Sequence, residues 1–126
     1  MGDYSFTSKD RLLNAREFSR VFDSADARAS HRYVLLLAAR NQLPHNRLGL
    51  IVAKKNVKLA VQRNRFKRVT REFFRQCPGT DDGLDVIVLA RKGVDQLDNA
   101  SLSTILRQQW QKLTRHASKP SQGKKP

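Results

Sequence analysis

The stretch from Lys54 to Arg75 limits most severely how this chain can fold. It holds nine basic residues, Lys54, Lys55, Lys58, Arg63, Arg65, Lys67, Arg68, Arg71 and Arg75, against one acid, Glu72. At about 100° per residue, Leu59, Phe66, Val69 and Phe73 fall within an arc of roughly 80°. Lys67, Arg71, Asn64, Arg75, Arg68 and Arg65 fill an arc of about 160° on the other side. The spacing predicts a helix over 58–76 with one stripe on a core and a cationic face turned outward. A face built only to meet water interleaves acids at i, i+4, whereas Lys67 with Arg71, or Arg71 with Arg75, repel by about 0.2–0.5 kcal/mol. The missing acids point to phosphate as the counter-charge, and planar guanidinium groups suit it by forming two parallel hydrogen bonds. The apolar stripe is needed for the core, which argues against a lipid surface.

The rest of the chain can supply only one core. It has 126 residues, 39% of them hydrophobic, with 25 Lys+Arg against 11 Asp+Glu for a net charge of +14. That is one small domain whose self-repulsion calls for a polyanionic partner. The lone cysteine, Cys77, cannot form an internal disulfide framework or a cysteine zinc site. No apolar secretory segment is visible, and the uncharged run Tyr33–Ala39 is far short of the roughly 20 residues of a membrane span. The expectation is a soluble, cytoplasmic protein without a membrane partner.

Local patterns order the elements. Phe18, Val21 and Phe22 share one face of a helix over 14–23, with Asn14 as its cap and Glu17 three residues later. Residues 24–30 are small and polar and read as a loop. The apolar runs 32–39 and 47–53 read as adjacent strands joined by a turn, and 84–90 as a buried strand. A last helix over 101–115 carries the stripe Leu102, Ile105, Leu106, Trp110 and Leu113. Residues 118–126 read as a disordered basic tail after a domain over 1–117, whose first ~10 residues are extended. The result is a single-domain α/β sandwich, with helices packed on a small sheet. His31, His45 and His116 show no metal-ligand spacing. Asp81, Asp82 and Asp85 are explained by a turn and a strand start.

Two segments are more specific than this pattern. Ala53-Lys54-Lys55-Asn56-Val57 followed by Arg63-Asn64-Arg65-Phe66-Lys67-Arg68-Val69-Thr70-Arg71-Glu72 closely resembles the signature of the protein subunit of bacterial ribonuclease P. Arg11-Leu12 with Phe18 and Phe22 resembles that family's first helix, and 85–92 resembles its later strand, so the likeness covers residues 11–113 in the family's order. The resemblance implies an α+β fold of the ribosomal protein S5 domain 2-like type. Its order is αβββαβα with a left-handed βαβ crossover, against the usual right-handed rule. It implies a protein that binds a catalytic RNA and helps it remove the 5′ leader of precursor tRNA. Hydrolysis is carried out by Mg2+ held mainly in the RNA, and the protein has no catalytic residue and is inactive alone.

By position, the resemblance puts Lys54, Lys55, Arg63, Asn64, Arg65 and Arg68 against the catalytic RNA. Phe18, Phe22, Leu36, Lys67 and Arg71 line a cleft for the single-stranded leader. Unpaired RNA offers base faces for stacking and phosphates for cations. Leu36 stands where some members carry a tyrosine. Two other readings remain open: a ribosomal or general RNA-binding protein, and a protein-only nuclease using carboxylates.

Overall fold

The computed structural model describes residues 15–41, 46–76 and 83–123. Their elements are α1 (Ala15–Ser24), β1 (Ala27–Ser30), β2 (Val34–Arg40), β3 (Arg47–Ile51), α2 (Ala60–Gln76), β4 (Leu84–Ala90), a short 3-10 turn (Val94–Gln96) and α3 (Asn99–Gly123). This is the expected αβββαβα order. The proposed cap Asn14, the turn at 42–45, Cys77 and the pair Asp81–Asp82 lie outside the described residues.

The sheet order is β1-β2-β4-β3. β4 pairs antiparallel with β2, Leu37 opposite Ile87, and parallel with β3, Gly49 opposite Ile87. The two runs expected as neighbours are therefore separated by a strand that arrives later, because β4's apolar residues need cover on both edges and both faces. β3, α2 and β4 form a parallel crossover unit. Residues 27–30, expected as a loop, form an edge strand with Ala27 opposite Ala38. Alanine and serine are weak strand formers, and pairing to β2 overrides that weakness.

Alternation along the strands divides the core in two. Leu36, Ala38, Leu48, Val86, Val88 and Ala90 face α2 and α3, where they meet Phe66, Val69, Phe74, Leu102, Leu106, Trp110 and Leu113. Trp110 and Phe74 pack edge to face, with ring centroids 5.1 Å apart. Leu35, Leu37, Ala39 and Ile87 face α1, where they meet Val21 and Phe18. The stripe of α2 is rotated from its expected position. Leu59 precedes the helix and is exposed, while Thr70 and Phe74 are buried.

Helix α3 starts at Asp98, whose carboxylate accepts the Ser101 amide at 2.8 Å. That bond holds the Asp98 carboxyl below its ordinary pKa. The helix then runs beyond its expected end. Residues 118–123, expected as a disordered tail, continue it, and 124–126 lie outside the described residues.

Candidate nucleic-acid interface

The cationic face of α2 forms as the spacing predicts, and the structure sorts its members. Lys54, Lys55, Asn64, Arg68 and Arg71 are exposed and Lys67 is half-buried. None of these six makes a hydrogen bond or ion pair among the described residues. Glu72, the acid of the helix, accepts from Arg75 at 2.6 Å. Arg63 and Arg65 are bound inward. Arg63 Nη1 donates to the carbonyls of Val57 at 3.0 Å and Lys58 at 2.9 Å, which ties the start of α2 to the segment that follows the Lys54–Lys55 turn. Arg65 donates from Nε to Gln62, from Nη1 to Asn99 and from Nη2 to the Asp95 carbonyl, bracing α2 against the start of α3.

The five residues expected around the leader are not brought together. Phe18 and Phe22 lie on α1, with Phe22 46% exposed. Leu36 is 1% exposed and faces α2 and α3, so no ligand reaches it. The expected placement of Leu36 in the cleft is not met, because successive side chains along a strand point to opposite faces. Leu35 and Leu37 are the β2 residues that face α1. Lys67 and Arg71 stand on the layer opposite α1. Both also lie about 160° around α2 from Val69, which faces α3 beside Ser103 and Arg107, so they flank the β3 edge.

What does accompany Phe18 and Phe22 is the part of the sheet α1 leaves open. Ile51 and Leu89 are half-buried there. Arg28 and Ser30 of β1 are exposed on the same face. An apolar floor beside aromatic rings, rimmed by an arginine, can take unpaired bases and their phosphates.

One end of α1 is fastened by a cluster that the sequence reading missed. Asp85, fully buried, receives Arg47 through a two-point fork, Nε to Oδ1 at 2.7 Å and Nη2 to Oδ2 at 2.7 Å. Asn41 Nδ2 donates to Oδ1 at 2.8 Å, and Arg20 of α1 donates to Oδ2. Arg47 also reaches Glu17 of α1 at 3.2 Å. Burial pushes the Asp85 carboxyl up, but the Arg47 and Asn41 hydrogen bonds and the Arg47 and Arg20 charges outweigh it and hold it below its ordinary pKa. The hydrogen bonds from Arg47 to Asp85 raise Arg47 in turn. The signal was present in the sequence: an aspartate inside the run Leu84–Ala90 must find a partner if that run is a buried strand.

Among the described residues no three His, Cys, Asp or Glu side chains come together as a metal site. Asp85, with both oxygens held by guanidinium and amide groups, is not placed to ligate a metal. No described helix is long and apolar enough to cross a membrane.

Sequence and fold both match proteins of one family. The ribonuclease P family model matches residues 6–114. The ribonuclease P protein component of Pseudomonas aeruginosa PAO1 is 50% identical over 111 residues, 88% of this chain and 82% of that protein. Its counterpart in Pseudomonas syringae pv. tomato is 41% identical over 121 residues, 96% of this chain and 91% of that protein. Among solved structures, the Staphylococcus aureus RNase P protein superposes with a TM-score of 0.72 at 25% identity, covering 81% of this chain and 93% of that one. The Thermotoga maritima RNase P protein, solved with 1-(4-fluorophenyl)-2-thiourea, gives 0.68 at 29% identity, covering 79% and 96%. The chain belongs to the ribonuclease P protein component family.

Proposed function

We propose that this chain binds the RNA subunit of ribonuclease P, a tRNA-processing endoribonuclease, and helps it remove the 5′ leader of precursor tRNA. The observation that carries the reading is the face of α2: its one acid is paired with Arg75, and its outward cations have no partner among the described residues. Lys54, Lys55, Asn64 and Arg68 contact RNA phosphates directly, while Arg63 and Arg65 hold the start of α2 and the α2–α3 junction. Lys67 and Arg71 extend the same phosphate surface toward the β3 edge. The leader lies on the other face, across Phe18, Phe22, Ile51 and Leu89. Hydrolysis belongs to the RNA subunit and the magnesium it holds; the chain's part is to bind and orient.

The test is cleavage of a leader-bearing precursor tRNA at low magnesium by a bacterial ribonuclease P RNA alone, by this protein alone and by the two together. Activity appearing only in the mixture is the expected result. Cleavage by the protein alone supports the nuclease reading, and no stimulation in the mixture supports a general RNA-binding role.

A further inference from the structure

A second cationic site lies away from α2, at the turn between β1 and β2. Tyr33 packs edge-on over Gly93, whose φ of 95° keeps it a glycine and where a Cβ would come within 3.0 Å of the ring. The Arg32 guanidinium sits over the Tyr33 ring, 5.3 Å from its centroid. Arg91, just past β4, donates from Nη1 to the His31 carbonyl at 2.8 Å and to Ser30 Oγ at 3.1 Å. The exposed Lys112 of α3 lies near enough for its charge to act on His31. Burial first, and then Lys112, Arg32 and Arg91, lower the pKa of His31. The neutral imidazole accepts the Tyr33 amide at Nδ1, 3.1 Å away, which leaves an N–H donor at Nε2. The side chains gathered here are donors, two of the cations are held in place, and no carboxylate pairs with any of them among the described residues.

Hydrogen bonds tie this turn to the α2 side. Asn56 Nδ2 donates to the Ala90 carbonyl at 3.2 Å, setting the Lys54–Lys55 turn at the end of β4. The Arg91 amide donates to the Tyr33 carbonyl at 2.9 Å. One end of the sheet thus carries cations from β3 to β1, about 15 Å across four strands. The geometry points to a continuous phosphate track along this end of the sheet, in which Arg32, His31, Arg91 and Lys112 bind the backbone of the same RNA subunit that contacts Lys54, Lys55 and α2. This rests on the RNA-binding reading above. An RNA backbone fits because phosphate oxygens are acceptors only and recur along a strand, matching a row of donors that lacks acceptors.

The test uses the full chain with both exposed cations removed, Arg32→Ala with Lys112→Ala, and Arg68→Ala in parallel. Assembly with ribonuclease P RNA is titrated across salt, and the holoenzyme's affinities for leader-bearing precursor and mature tRNA are compared. The double variant is expected to weaken assembly and flatten the log–log salt slope by about 2, so that its deficit shrinks about tenfold between about 50 and about 200 mM salt. Its preference for leader-bearing substrate stays unchanged, and Arg32→Lys with Lys112→Arg restores the slope. An unchanged slope while Arg68→Ala responds overturns this inference alone. No response in either variant overturns the α2 reading beneath it, and a loss confined to leader-bearing precursor reassigns the turn to substrate.

Discussion

On the α2–α3 side of the sheet, Leu36, Val86, Leu102, Leu106 and Leu113 are all within 1% of full burial, and the layer is closed by hydrocarbon and the Phe74–Trp110 pair. On the α1 side, Val21 and Ile87 are as deeply buried, yet Phe18, Ile51 and Leu89 remain half-buried and Phe22 is exposed. One short helix covers that face, fastened at one end by the Asp85 cluster rather than by a wide apolar contact. Packing has no preferred depth short of completion, because each further apolar contact is favourable. A directional ion-pair cluster has a preferred geometry and can hold a helix at one place while the rest of the face stays open. The closed side gives stability and a platform for cations; the pinned side leaves a surface that a ligand can cover.

The sharpest way to break this contrast is to remove the pin. Asp85→Asn leaves Arg47 and Arg20 without their carboxylate and is expected to cost about 3–5 kcal/mol in urea unfolding at neutral pH. Because the folded carboxyl titrates below its ordinary value, the wild-type advantage is complete above the unfolded value of ~3.9. It is lost as pH falls through the lower folded value. The two unfolding curves should therefore lie far apart from pH ~5 to ~8 and converge in acid. A gap that persists undiminished in acid would show that the site acts through packing rather than charge.

A second comparison separates the faces by function. Leu36→Ala empties a site in the closed layer and is expected to lose about 2–5 kcal/mol of stability without changing how assembled holoenzyme discriminates leader-bearing from mature tRNA. Phe22→Ala should do the reverse. At 46% exposure it contributes little to the fold, while losing a stacked base costs about 1–3 kcal/mol of leader affinity. If Leu36→Ala proved specific for the leader, the assignment of faces would be wrong.

These contrasts also mark what the sequence could and could not disclose. The long helices are legible because a 3.6-residue period persists over many residues, and Leu102, Leu106, Trp110 and Leu113 are buried as their spacing requires. The cationic face is legible because it needs no knowledge of neighbours. Strand partners are not, since nothing local in 32–39 or 47–51 says that 84–90 will lie between them. The face of Leu36 depends on register, which a one-residue error inverts. Asp85 shows that it needs a partner, but Arg47, Arg20 and Asn41 come from three segments that only the completed sheet brings together. The cleft is legible only in part: Phe18 and Phe22 can be named from their motif, whereas Ile51 and Leu89 join them through the sheet.

The smallest expected effect sharpens the comparison most finely. Lys67→Ala with Arg71→Ala removes two cations from the α2 flank near the β3 edge, and neither has a partner to lose among the described residues. Relief of like-charge repulsion at i, i+4 should leave the fold unchanged or steadier by about 0.2–0.5 kcal/mol, read as a slight rise in melting temperature. Binding to the RNA subunit should lose about 2 from its log–log salt slope, with equal effects on leader-bearing and mature tRNA. Equality follows from placement, because α1 and α2 lie on opposite layers and a strand on Phe18 and Phe22 meets Lys67 only by turning around the β3 edge. Should the leader-bearing substrate suffer more, the RNA makes that turn, and the two faces act on one strand rather than on two RNAs.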